Sequence, residues 1–289
     1  MKIHHLFLGI LSVAVTTAAF GQSTPYQSSA EFEKYARMLR ENVLVTLEPH
    51  VLIPTANRPL NRPRYPWKNN IVTTTFWIGE SASVNNPVHN YSSSWDLNWS
   101  ASFGGFDNPN PSARRGFIPV GFIPRQNPFY IALPYNDVTR GTTKPEARAV
   151  IPWFNEEFDH DGQSVCRDRW VRIRNRSGHD CYAQWSDCGP FRTDHWQYVF
   201  GDERPKPNLN QGAGLDISPA VRDFLNLSST DVTDWQFVDF KDVPRGPWSM
   251  YGDNNHFVQL SRRNPTREAR LLPAAAPKDD GPTVVTRTK

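Results

Sequence analysis

Between about Asn70 and Ser261 the chain is broken into short apolar runs that are too brief for core helices. They are "IVTTTFWIG", "FYIALP", "RWVRIRN", "CYAQWS" and "WQFVDF". Each is rich in β-branched or aromatic residues and is bounded by Pro, Gly or Asn clusters, which marks strands between turns. One helix is predicted between the last two runs, at "SPAVRDFLNL". Ser218 can cap it, Pro219 suits its first position, and Val221, Phe224 and Leu225 make its apolar face. Many short strands with one or two short helices predict a mainly β chain closed into a barrel with decorated loops.

The flanks read differently. "MKIHHLFLGILSVAVTTAAFGQS" has a basic Lys2, an apolar stretch from Leu6 to Val15, and small residues Ala19 and Gly21 before Gln22. This is the pattern of a secretory signal peptide over residues 1–21, so a secreted or periplasmic protein is expected, with no membrane attachment after cleavage. Residues 22–69 are expected to hold a helix, with Phe32, Tyr35, Met38 and Leu39 on one face, followed by a Pro-rich linker. The barrel domain is assigned to 70–261, and 262–289 to a disordered tail. The net charge is only +3. No nucleic-acid partner is expected from that balance, and a monomer is.

Export implies an oxidising compartment. Folding "WVRIRNRSGHDCYAQW" into a hairpin about Ser177-Gly178 sets Trp170 roughly opposite Trp185 and brings Cys166 near Cys188. A Cys166–Cys188 disulfide is therefore expected, with Cys181–Cys188 as the rival pairing.

Several motif classes are missing. There is no HExxH, CxxC, P-loop or GxSxG, and "EFDHDG" places its glycine wrongly for a calcium loop. No cofactor and no metal are expected. Cys188 with His195 could form a nucleophilic pair, but a disulfide is the commoner use of an exported cysteine. What remains is two carboxylates at punctuated strand ends. Asp187 ends "CYAQWS", and Asp216 follows "NQGAG" just before the helix. Each has a plain explanation, Asp187 as a turn residue and Asp216 as a helix-start residue. As a pair they match the working parts of glycoside-bond chemistry.

The order "VRIRN…CYAQWSDCGPF…LDISPAVRDFLNL…DWQFVDF" resembles the double-psi β-barrel superfamily of rare lipoprotein A, expansins and family-45 endoglucanases. The resemblance covers the second half of the chain well and residues 70 to 135 weakly. It implies a six-stranded double-psi β-barrel with a polysaccharide-facing groove. Asp187 corresponds to the aspartate that matters in the lytic enzymes, and Asp216 to the catalytic-type aspartate of expansins. Cys188 stands where the lytic family has Arg, Tyr130 where it has His before Leu133-Pro134, and Gly214-Leu215 where expansins have His-Phe. Glu80 or Asp96 could replace the second endoglucanase aspartate.

The two long insertions, rich in aromatic residues and Asn/Asp, suggest sugar contacts. Trp95, Trp99, Trp196 and Tyr198 are the candidate rings, with Tyr130, Asp96 and Glu80 beside them. The implied reading is an exported protein acting on cell-wall or extracellular polysaccharide, by lytic cleavage, hydrolysis or expansin-like loosening, with Asp216 as acid. The alternatives are a non-catalytic carbohydrate-binding module and a structural or protein-binding barrel.

Overall fold

The computed structural model describes residues 64–84 and 86–263. The expected signal peptide and N-terminal helix lie outside the described residues, as does the expected C-terminal tail except Arg262 and Arg263, which are helical. The end of the expected linker lies within the described residues: Tyr65 is packed into the core, and its hydroxyl donates to Asp239 Oδ1 at 2.9 Å.

Six strands close into one barrel: β1 (Lys68–Thr75), β2 (Tyr130–Leu133), β3 (Trp170–Arg174), β4 (Asp180–Cys188), β5 (Leu215–Ile217) and β6 (Thr230–Phe237). Round the barrel the order is β1-β6-β3-β4-β2-β5. Pairing is mixed. β1 with β5 and β2 with β4 are parallel, and the other four contacts are antiparallel. Closure leaves none of these strands as an open edge. The fifth strand, Leu-Asp-Ile, is too short to show alternation in sequence.

The β3–β4 hairpin turns where expected. Asn175 Oδ1 accepts from the backbone N–H groups of Ser177 and His179 at 3.0 and 2.9 Å, and Gly178 takes φ +83°. The register differs from the expectation by one residue. Trp170 pairs with Gln184, and the Trp185 N–H bonds to the Arg169 carbonyl at 2.8 Å.

Among the described residues, six α-helices decorate the barrel rather than one or two: α1 (Trp99–Phe103), α2 (Ala147–Val150), α3 (Phe154–Glu157), α4 (Trp196–Val199), α5 (Pro219–Leu225) and α6 (His256–Arg263). Four of them have only four or five residues. That is little more than one turn, so no 3.6-residue period can show. α5 is the helix expected from the sequence. Ser218 Oγ accepts from the Val221 N–H at 3.3 Å, and Val221 and Leu225 are buried.

Two apolar clusters form. The main core takes Ile131, Leu133, Trp185, Leu215, Ile217 and Trp235. Full burial of an aliphatic side chain of this size contributes roughly 1.5–3 kcal/mol. The smaller cluster joins Phe76, Ile78, Trp99, Phe103, Tyr130 and Ala132, with Phe122 against it. β2 therefore divides by alternation. Ile131 and Leu133 face the main core, and Tyr130 and Ala132 face the second cluster.

Candidate functional site

The candidate site begins at Ala132. Its register partner on β4 is Asp187, and its partner on β5 is Asp216. Asp216 is in turn paired with Thr74 on β1. Residues paired across a sheet share a face, so Thr74, Asp216, Ala132 and Asp187 form one row on the side of the second cluster. Two strand spacings put the Cα atoms of the two aspartates roughly 9–10 Å apart.

Asp187 reaches this row through a bulge. Ile131 pairs with Trp185, and the next residue, Ala132, pairs with Asp187, so Ser186 is the extra residue of β4. Unbroken alternation from Trp185 would have turned Asp187 towards the main core.

The carboxylates differ in environment. Asp216 is half-buried, and its Oδ1 accepts from the Thr74 hydroxyl. Its Oδ2 faces Gly189, where an added Cβ would sit 3.6 Å away. Burial pushes its pKa from the usual 3.8 up to about 7. The Thr74 hydrogen bond opposes that shift, and the negative charges of Glu80 and Asp187 add to it. Asp187 is buried, and its Oδ1 accepts from the Ser94 and Cys188 N–H groups at 2.7 Å each. Burial raises its pKa to about 6 against those bonds. Glu80 lies beyond the end of β1, half-buried. Asn90 Nδ2 donates to its Oε2 at 2.8 Å. Burial raises its pKa, and hydrogen bonds with the Trp77 backbone, Asn90 and Asn86 oppose the rise.

Three acidic groups thus share one electrostatic neighbourhood, and Asp216, pushed up to about 7, is partly protonated near neutral pH. Such a group can protonate a leaving oxygen, while an ionised neighbour accepts a proton. Glu80 acts on Asp216 more strongly than Asp187 does.

The expected sugar-binding rings fare differently. Tyr130 is 1 % exposed: its hydroxyl donates to Asp107 Oδ2 at 2.9 Å and accepts from the Ile78 N–H at 3.0 Å. Trp99 is 2 % exposed in the same cluster, and Tyr198 is fully buried, accepting from Trp235 Nε1 at 2.8 Å. These three are structural, because burial leaves no ring face to offer a ligand. Trp95 and Trp196 remain half-buried. The Trp95 ring meets Trp185 edge-on at 5.7 Å, and its Nε1 donates to Asn136 Oδ1 at 2.9 Å. Asp96 is half-buried too, and accepts from the Asn98 N–H at 2.9 Å and Gln126 Nε2 at 3.1 Å, which ties down its own loop. Six tryptophans, at positions 99, 153, 170, 185, 235 and 248, are core residues, so the high Trp content mainly serves packing.

The three cysteines are free thiols, and the expected Cys166–Cys188 bond is not formed. The two are neighbours nonetheless. Burial, then Asp137 and then Cys188 raise the Cys166 thiol well above its usual range. No hydrogen bond joins His195 to Cys188. The His195 Nε2 is paired with Glu203 Oε2 at 2.9 Å.

Two cavities lie elsewhere. One of about 480 Å³ is lined by Arg169, Asp168, Asp239 and His256, and one of about 540 Å³ by Phe117, Phe122 and Met250. Neither holds Asp187, Asp216 or Glu80. Among the described residues, no group of three or more His, Cys, Asp or Glu side chains is placed to hold a metal ion, and no helix is long and apolar enough to cross a membrane. No protein-family model matches the chain, and neither does any curated protein.

Proposed function

We propose that this is an exported protein of double-psi β-barrel type that cleaves a β-linked cell-wall or extracellular polysaccharide, with Asp216 as general acid. The observation that carries this reading is Asp216 itself. It is half-buried, desolvated enough to titrate near pH 7, and sits in one neighbourhood with two further carboxylates. A protonated Asp216 delivers its proton to the glycosidic oxygen as the bond to the leaving sugar breaks. Glu80 or Asp187, ionised, takes a proton from the attacking nucleophile. That nucleophile is water in hydrolysis, or a hydroxyl of the same sugar in lytic cleavage. Inverting glycosidases hold their two carboxyl groups about 6.5–9.5 Å apart, and Asp187 and Asp216 stand on one face with their Cα atoms two strand spacings, roughly 9–10 Å, apart.

A second reading is favoured by one observation. Both backbone N–H donors to Asp187 converge on its Oδ1 and anchor the Ser94 loop, which is a turn-holding role. If Asp187 and Glu80 only position their loops, Asp216 stands alone, and the protein loosens polysaccharide packing as expansins do.

Incubation with peptidoglycan sacculi and with cellulose tests both. Anhydro-muropeptides would identify lytic cleavage, and new reducing ends hydrolysis. Absence of product, with retained binding by Asp216→Asn, would reject cleavage and leave loosening or binding.

A further inference from the structure

Three of the aromatic candidates, Tyr130, Trp99 and Tyr198, are buried. The structure has another exposed aromatic row beside Glu80. Tyr91 is 38 % exposed and Phe106 57 % exposed. Their rings stack at 5.4 Å between centroids with 25° between planes, and the exposed His89 stacks on Tyr91 at 4.9 Å and 28°.

The row is held by the chain that carries Glu80. The Gly79 N–H bonds to the Asn90 carbonyl at 2.8 Å, and the Asn90 N–H to the Glu80 carbonyl at 2.9 Å. The Asp107 N–H bonds to the Ile78 carbonyl at 2.8 Å. Residues 78–80 are therefore clamped between the segments that deliver Tyr91 and Phe106. Gly79 adopts φ +89°, and an added Cβ there would lie 2.4 Å from the Phe106 ring, so the ring rests directly on glycine backbone. The Tyr91 hydroxyl lies 2.9 Å from Ser81 Oγ.

We infer that Tyr91 and Phe106, extended by His89, form a stacking platform for pyranose rings of a β-linked glycan, leading to Glu80. This rests on the polysaccharide reading above and adds to it where the chain lies. Exposed, mutually stacked rings fixed on a rigid backbone have a cost in water that a ligand can relieve. The apolar C–H face of a sugar fits such rings. The polar groups around them, Ser81, Glu80, Asn90 and His89, suit its hydroxyls. Continuity with Glu80 favours a glycan over a protein partner, because the platform and the carboxylate share one hydrogen-bonded strip of chain.

The test is pull-down on microcrystalline cellulose and on peptidoglycan sacculi, using Asp216→Asn to prevent turnover; the two polymers separate the two sources of glycan. Adding Phe106→Ala or Tyr91→Ala is expected to weaken binding to the recognised polymer about tenfold. Phe106→Leu keeps apolar contact with Gly79 but has no flat face, so it should bind weakly while melting like its parent. Phe106→Trp should restore binding. Unchanged binding in the Phe106→Leu and Tyr91→Ala proteins overturns the platform and leaves the polysaccharide reading standing. If Asp216→Asn binds neither polymer, the polysaccharide reading fails and takes the platform with it. Self-association that depends on Phe106, without any effect on pull-down, also overturns it.

Discussion

Asp187 and Asp216 approach Ala132 from its two sides, one on a parallel neighbour strand and one on an antiparallel neighbour. A methyl side chain thus separates two carboxylates, each titrating well above the usual range. Ala132→Leu should wedge into that gap. Expected is loss of polysaccharide cleavage by at least about tenfold with the barrel retained, checked by product release alongside circular dichroism.

Glu80 has a testable electrostatic effect. Its negative charge helps hold Asp216 at about 7, so Glu80→Gln should lower the Asp216 pKa. In carbon-detected NMR titration, the Asp216 carboxyl midpoint should move towards acid. The alkaline limb of any rate profile should move with it. An unmoved midpoint would separate Glu80 from the site. Asp216→Asn should cost about 10²–10⁴-fold in rate, the usual range for a general acid.

Stability should follow pH through the same groups. Asp187 and Asp216 both have raised pKa values, so the folded protein binds protons more tightly than the unfolded chain. Their favourable contribution is complete below the usual carboxylate value and is lost as pH rises through about 6 and 7. Melting temperature should decline over roughly pH 4 to 7 from this source. Asp216→Asn should flatten that decline. A slope identical to the parent's would contradict the raised value.

Tyr130 gives a prediction of the opposite kind. Tyr130→Phe removes a donor from Asp107, which also pairs with Arg114, and an acceptor from the Ile78 N–H. The loss should be about 1–3 kcal/mol in denaturant unfolding, with glycan affinity unchanged. Weakened affinity at equal stability would return Tyr130 to the ligand.

The cysteines should resist modification while folded. Burial raises all three thiols well above their usual range, which leaves little thiolate at neutral pH. Alkylation followed by mass spectrometry should label them only on unfolding. Under an added disulfide oxidant at higher pH, Cys166–Cys188 should be the crosslink recovered. Recovery of Cys181–Cys188 instead would point to a different local packing.

Five of the six strands were readable because each is a run of β-branched or aromatic residues closed off by Pro, Gly or Asn. β5 was not, because three residues show no period. α5 announced itself through Ser218 and Pro219, while helices such as α4 are a single turn and carry no signal. Asp187 and Asp216 were legible as acids at strand ends. Their shared face was not, since it depends on the extra residue Ser186, and a bulge leaves no mark in hydrophobic spacing. The ring candidates were drawn by composition from the insertions. Composition does not say which rings fold inward, and of these insertion aromatics Trp99 and Tyr198 are buried while Tyr91 and Phe106 are exposed. Gly79 was the available hint, a glycine before an acid in a loop, but its role depends on a ring 27 positions away.

The four residues of β2 serve two neighbours at once, and this divides the labour of change. Substitutions at Ile131 or Leu133 act on whether the barrel closes. Substitutions at Tyr130 or Ala132 act on the wall behind the acids. A lineage or a designer could therefore alter the surface between the acids at Ala132, with Tyr130 kept as its buried support, leaving the barrel's interior untouched. The strand works as a hinge of inheritance, with one edge held fixed and the other open to variation.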